Sequence, residues 1–348
     1  MNILIVKTSA IGDVTHTLPA LNALRKFYPE SRITWLVEKA ASDVIEGHRA
    51  LDRILISERK RWIKNLREPR RRFALAEIHA FIEHLRDTKY DLAIDFQGLL
   101  KSGIWMALAR ARRKVGFGPG MDHAEHSWIF YNERVPAVSM EHHAVKRELM
   151  LLSSIGISCR NIEFDYPVSE DDHHNLSEVL SGCGIGSDSR IVCINPMARW
   201  ETKLWYPERF AQVADRLAKR NFAVIFTGGH EDFAPIRQIT AQMKSRAINL
   251  AGKTSLKTFG ALFQRSDLLV TTDTGPMHIC AAVDTPVIAI FGPTAPWRTG
   301  PFGDRHRVIR SSIKCSPCFK RNCSARQCMN EISIGKVMET IGEMLQAV

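Results

Sequence analysis

No apolar run in this chain approaches the roughly 18 residues that a membrane span requires, so nothing in it reads as a transmembrane segment. The opening MNILIVKTSAIGD offers four apolar residues in a row and then turns polar, too short for a secretory leader. A cytoplasmic protein is the expectation. The common phosphate-binding signatures are also missing. The loop at 7–13 holds a single glycine and no Gly-Lys-Ser/Thr, which excludes both a P-loop and the dinucleotide fingerprint there. The basic run at 59–72 carries eight Arg or Lys against one Glu, yet its only aromatic is Trp62. Single-strand binders interleave aromatics for base stacking, so nucleic acid is not an expected partner. No repeat is visible by sequence identity.

What is present is an α/β rhythm. The 348 residues suit one very large or two ordinary domains, with 45% apolar and 24% charged residues, as in a globular protein. Strands are predicted at 2–6, 32–37 and 90–96, with helices at 13–27, 75–85, 142–155 and one ending in a basic tail at 107–114. A Gly- and Pro-rich loop follows at 115–121, and a polar stretch at 157–189 marks a domain boundary. The rhythm then restarts. Strands are predicted at 191–195, 223–227, 268–270 and 287–291, and helices at 208–219, up to about 244, at 256–263, from 276 and at 332–345. Two doubly wound halves with a cleft between them follow.

The stretch at 267–282, DLLVTTDTGPMHICAA, is a strand, a tight turn and a helix start. Pro276 suits the first turn of a helix because its missing N–H had no partner there anyway. The N–H groups of Thr274, Gly275 and Met277 then face whatever lies above the strand end, a natural place for an anion. An ordinary strand-to-helix turn with an Asp cap fits the same residues. The net charge of +11 favours acidic partners, although a basic surface without specific meaning fits as well. The run at 59–72 is either a solvated loop or a docking patch for a phosphorylated or carboxylated partner, and Trp62 with its basic flanks also suits a membrane interface. Four of the eight cysteines, Cys315, Cys318, Cys323 and Cys328, are spaced C-x2-C-x4-C-x4-C. They fit a structural zinc or iron–sulfur site, or reduced or paired thiols.

KTSAIGDVTHTLPAL at 7–21, DFQGLLKSG at 95–103, TKLWYPERF at 202–210 and DTGPMH at 273–278 together resemble the bacterial lipopolysaccharide heptosyltransferases, in order and over nearly the whole chain. RKRW at 59–62 and HHAV at 142–145 point within that family to heptosyltransferase I. The resemblance implies a GT-B fold: a Rossmann-like acceptor-binding domain at 1–165, a second that binds ADP-heptose at 175–330, and a C-terminal helix at 331–348 packing back on the first. It implies inverting transfer of L-glycero-D-manno-heptose from its ADP donor to a Kdo hydroxyl of Kdo-lipid A. The enzyme would work at the inner face of the inner membrane and need no cofactor.

The same resemblance makes Asp13 the general base, for which helix capping is the alternative. It places Lys203, Glu231, Thr254, Asp273, Thr274, Gly275 and His278 at the donor, with Arg199 standing where hydroxyl residues often meet phosphate. Arg59, Lys60, Arg61 and Lys64 would meet the acceptor's anionic groups. Rival readings are transfer to the first heptose instead of Kdo, a related nucleotide-sugar enzyme such as an epimerase, and a non-catalytic basic binding module.

Overall fold

The computed structural model describes residues 1–67, 69–121 and 125–346. Glu68 in the basic run and the last two residues of the 331–348 segment lie outside the described residues. The chain forms two compact units, Met1–Pro167 and Val168–Val348.

The first unit runs β1 (Asn2–Val6), α1 (Ile11–Phe27), β2 (Arg32–Glu38), β3 (Arg53–Ser57), α2 (Arg59–Leu66), α3 (Arg71–Arg86), β4 (Tyr90–Asp95), α4 (Leu100–Leu108), β5 (Ala111–Phe117), β6 (Glu133–Val135) and α5 (Ala144–Ser154). The sheet is parallel throughout, in the order β3-β2-β1-β4-β5-β6. Its central strands read as unbroken apolar runs because helices cover both faces. The outer strands do not. β5 is ARRKVGF and partly exposed, and Arg113 pairs with Glu133 of β6 at 2.7 Å. That charge is why β5 reads from sequence as a helix tail and a loop.

The second unit runs α6 (Glu170–Gly182), β7 (Ile191–Asn195), α7 (Pro207–Ala218), β8 (Ala223–Phe226), α8 (Phe233–Thr240), β9 (Ile248–Asn249), α9 (Leu256–Gln264), β10 (Leu268–Thr272), α10 (Gly275–Ala282), β11 (Val287–Phe291), α11 (Pro296–Thr299), β12 (Arg307–Arg310), α12 (Gln327–Asn330) and α13 (Ile334–Gln346). Its sheet order, β12-β11-β10-β7-β8-β9, is again parallel and is the same winding as the first. In each unit the chain leaves the first strand toward one edge and returns to start the fourth beside it. The crevice outside those two strand ends is the topological switch point. The switch points are β1/β4 and β7/β10.

Three expectations change. The polar stretch after residue 157 contains α6, which begins with a reciprocal cap: Ser169 Oγ accepts from Asp172 N, and Asp172 Oδ2 accepts from Ser169 N at 2.9 Å. The basic run is helical, and Trp62 is buried at 5% exposure against Phe81 and Trp105, so it is a core residue and not a membrane anchor. The C-terminal helix, expected to return to the first unit, belongs to the core of the second. Val337, Met338, Ile341 and Met344 join Trp205, Phe210 and Leu217 in one apolar cluster.

Candidate active site

In the first unit the site residues stand on the loops at the β1/β4 switch point. Asp95 ends β4 and bends the chain: its Oδ1 accepts from Gln97 N at 2.8 Å and Gly98 N at 3.0 Å, and its Oδ2 from Tyr131 at 2.8 Å. Gly98 has φ +67°, a conformation that suits glycine. Burial pushes the Asp95 carboxyl up, and these donors oppose it. The turn presents Gln97, whose Oε1 accepts from Thr8 N at 3.1 Å and Ser9 N at 3.0 Å. The loops after β1 and β4 are thereby tied together. Beneath them Lys7 Nζ donates to Phe96 O at 2.9 Å and pairs with Glu148 Oε1 of α5 at 2.6 Å, and Thr17 donates to that same oxygen at 3.0 Å. Burial raises the Glu148 carboxyl, with Lys7 pulling the other way. His143 caps α5 through Val145 N at 3.3 Å, and its ring lies edge-on to His16 at 5.1 Å. The HHAV segment and the helix after β1 meet there.

Asp13 sits on the first turn of α1, and its Oδ2 accepts from Ala10 N at 2.8 Å. The capping duty is therefore real. Its Oδ1 accepts no hydrogen bond among the described residues. Close by, Lys101 Nζ donates to Ser9 Oγ and lies 3.9 Å from Glu38 Oε1. Burial holds the Lys101 ammonium below its ordinary pKa, Glu38 and Asp13 work upward, and Arg59 and Lys60 downward. Arg59 and Lys60 reach this cluster through Glu38, at 3.0 and 3.7 Å. Arg61 does not: its guanidinium is taken by Glu58 and Glu77. Lys64 is exposed one turn further along α2. Sequence reasoning missed Glu38, a single acid closing an apolar strand, and gave Lys101 no role although it lies inside DFQGLLKSG.

In the second unit the residues gather at the β7/β10 switch point. Lys203 Nζ pairs with Asp273 Oδ2 at 2.7 Å, and Thr294 donates to the same oxygen at 2.6 Å. The Lys203 ammonium also stands 4.7 Å from the Trp200 ring centre, and Arg321 lies 4.9 Å from that ring. Thr274 is the extended residue before α10, with Gly275 and Pro276 opening the helix. The N–H groups there stand directly after the buried Asp273. His278 is buried within α10. Glu231 is exposed on the turn after β8. Thr254 lies before α9, and its Oγ1 is buried without a hydrogen bond among the described residues. Gly252, at φ +71°, lets that loop approach His230, since a Cβ there would stand 2.8 Å from His230 Cα. Arg199 is exposed on the loop after β7. Thr294, Trp200 and Arg321 were not anticipated, since no local pattern marks residues that meet only in the fold.

The thiol-rich segment folds over this site. Ser316 Oγ donates to Gly292 O at 2.6 Å, Cys318 N and Phe319 N donate to Pro293 O at 3.0 and 2.8 Å, and Thr202 Oγ1 donates to Lys320 O at 2.8 Å. All eight cysteines are free thiols: Cys315 and Cys323 exposed, Cys318 half-buried and Cys328 buried. Among the described residues no group of three or more His, Cys, Asp or Glu is arranged to hold a metal ion. The segment acts as a buttress tying the loops of Lys203 and Thr294.

Residues 78–329 match Glycosyltransferase family 9 (heptosyltransferase). The chain is 30% identical to lipopolysaccharide heptosyltransferase 1 of Pseudomonas aeruginosa over 93% of its length and 88% of that protein. It is 30% identical to the Escherichia coli K12 protein of the same name over 89% of its length and 94% of that protein. Among solved structures it is similar to E. coli heptosyltransferase WaaC with ADP, with a TM-score of 0.79, 25% identity, and coverage of 99% of this chain and 100% of that one. With its paired 3-2-1-4-5-6 sheets and these matches, the chain belongs to glycosyltransferase family 9, the heptosyltransferases.

Proposed function

We propose that this enzyme, an ADP-heptose:lipopolysaccharide heptosyltransferase, moves L-glycero-D-manno-heptose to a Kdo hydroxyl of Kdo-lipid A with inversion at the anomeric carbon. The observation that carries the acceptor reading is the grouping at the β1/β4 switch point of a half-open carboxylate, Asp13, with Lys101, Arg59 and Lys60. An acidic sugar needs such cations, and its hydroxyl needs such a base. The two relatives named lipopolysaccharide heptosyltransferase 1 support heptose transfer to lipopolysaccharide.

The first unit holds the acceptor. Asp13 Oδ1 takes the hydroxyl proton as that oxygen bonds to the anomeric carbon from the face opposite ADP. The bond from that carbon to the phosphate oxygen breaks, and ADP leaves with the electron pair. A positioned base of this kind contributes roughly 10²–10⁴-fold. The second unit holds the donor. Lys203 and the N–H groups of Thr274 and Gly275 neutralise the pyrophosphate, Asp273 takes heptose hydroxyls, and Arg199 and His278 line the phosphate side. Glu231 takes the ribose and Thr254 the adenine. The transfer as written needs no cofactor.

No described helix is long and apolar enough to cross a membrane. Peripheral attachment to the inner face of the inner membrane is supported by Lys64, Arg67, Arg70, Arg71 and Arg72, all exposed beside the exposed Ile63, Leu66 and Phe73.

The test is incubation of the purified chain with ADP-heptose and Kdo-lipid A. A mass gain of one heptose, with an anomeric configuration opposite to the donor's by NMR, is expected. Retained configuration removes the inverting mechanism. No mass gain, in a preparation that binds ADP, removes the acceptor.

A further inference from the structure

The thiol-rich segment at 311–330 braces the second unit's site, and it also brings charge there. It carries Lys314, Lys320, Arg321 and Arg326 and no Asp or Glu. It is fastened on both sides of the Lys203–Asp273 pair. On one side Thr202 Oγ1 donates to Lys320 O at 2.8 Å, and the Arg326 guanidinium lies 5.4 Å from the Tyr206 ring centre. On the other, Ser316 Oγ donates to Gly292 O at 2.6 Å and Phe319 N to Pro293 O at 2.8 Å, one residue before the Thr294 that donates to Asp273. Arg321 directly follows the tied Lys320 and sets its guanidinium over Trp200, 4.9 Å from the ring centre, while Lys203 Nζ stands 4.7 Å from the same centre. Two cations thus share one indole, no more than about 10 Å apart, one Debye length at 0.1 M salt. Their charges are not equally free. Lys203 is matched by Asp273 at 2.7 Å, with side chains only 17% and 7% exposed, so that pair presents little net charge. Arg321 is exposed and makes no ion pair among the described residues.

Taking the second unit as the donor's, as above, we propose that Arg321 is a further donor-binding residue, which meets the pyrophosphate of ADP-heptose from its seat on Trp200 and stabilises the departing ADP. The charge balance selects it. A sugar-linked pyrophosphate has an acidic oxygen ionised on each phosphorus. Lys203 is already answered by Asp273, and the N-terminus of α10 supplies only about half a charge, so a further cation is called for. Arg199 precedes Trp200 at an exposed loop position, whereas Arg321 is held on the ring. An anion between Arg321 and Lys203 also relieves their mutual repulsion. Stacking on an indole leaves the edge of a guanidinium free, and that flat fork reaches two phosphate oxygens at once. When the bond from the anomeric carbon to the phosphate oxygen breaks, the electron pair stays on ADP. The contact therefore strengthens as the leaving group gains charge.

The test compares wild type with Arg321→Gln and Lys203→Ala by calorimetry with ADP and with adenosine, and by steady-state kinetics with ADP-heptose and Kdo-lipid A. Losing one charge-assisted contact is expected to weaken ADP about 10-fold in Arg321→Gln, with adenosine, which has no phosphate, changed less than about twofold. In the kinetics kcat falls by about 10-fold and the acceptor KM changes less than about twofold. Raising the salt erodes the ADP affinity of wild type more steeply than that of Arg321→Gln, because the variant has one charge fewer to screen. An unchanged ADP affinity in Arg321→Gln overturns the proposal. So does a loss shared equally by adenosine, which marks a disturbed loop, and so does a parallel salt dependence, which marks stacking without charge. Lys203→Ala separates this assignment from the donor reading. ADP weakened by Lys203→Ala but untouched by Arg321→Gln overturns this assignment alone. ADP untouched by both overturns the placement of the pyrophosphate with it.

Discussion

Asp13 does two things with one carboxylate: Oδ2 caps the start of α1 through Ala10 N, and Oδ1 is open for a proton. Asp13→Asn separates them, because an amide oxygen still accepts from Ala10 N but takes no proton from a hydroxyl. We expect a folded protein with unchanged ADP binding by calorimetry and a transfer rate under about 1% of wild type. A rate near wild type moves the base to another residue. Lys203 poses the matching question at the donor. It is held by Asp273 at 2.7 Å and by the face of Trp200, so the pyrophosphate contact proposed for it would carry little ordering cost. Lys203→Ala is expected to slow transfer by roughly 10²-fold or more, read in steady-state kinetics. A change within about twofold contradicts its placement on the pyrophosphate. Asp273 and Lys203 were both legible in the sequence through their motifs. Their pairing was not, since some seventy residues separate them.

The elements show which signals a sequence carries and which it does not. Strands buried on both faces, such as β1, β7 and β11, announce themselves as apolar runs. β5 and β12, with their arginines, do not: β12 is an edge strand and largely exposed, and β5 is flanked only by the three-residue β6, which leaves its first half partly exposed. β9 has two residues and no pattern to read. α2 was hidden for another reason: its eight residues include four Arg or Lys, and only Trp62 is buried. What anchors this region is ionic as well as apolar. The end of α3 is tied to β3 by a fork from Arg53 to Asp87, at 2.7 and 2.8 Å. The Arg53 guanidinium holds the Asp87 carboxyl at about 2, against an ordinary 3.8. The folded state thus binds the proton more weakly than the unfolded state. The pair's contribution is present above pH 3.8 and is lost as pH falls through 2. Because both side chains are partly exposed, that contribution is at most about 1 kcal/mol. Asp87→Asn should lower stability by up to that amount at neutral pH in urea titrations, and converge on wild type as pH falls below 2. An equal loss at both ends of that range would show a packing effect and not a charge effect.

At the scale of the whole molecule, one winding is used twice, and the candidate site residues of each copy gather at its own switch point. That repetition was visible in the spacing of strands and helices without any repeat of sequence, because the period of apolar residues fixes a strand or a helix whatever the individual side chains are. The destination of the last helix was not visible. Its apolar face fits any groove, and it is Trp205, Phe210 and Leu217 in the second unit that receive it. The basic excess of +11 is gathered locally around Glu38 at the end of β2, where Arg59, Lys60 and Lys101 converge on one carboxylate. The central claim is that this collection selects an acidic sugar. The measurement that tests it most directly offers the enzyme ADP-heptose with an equal mixture of Kdo-lipid A and the same acceptor already carrying one heptose, followed by mass spectrometry. The account predicts that the first acceptor gains one heptose and is consumed, while the pre-heptosylated acceptor gains none. Preferential extension of the pre-heptosylated acceptor would contradict it.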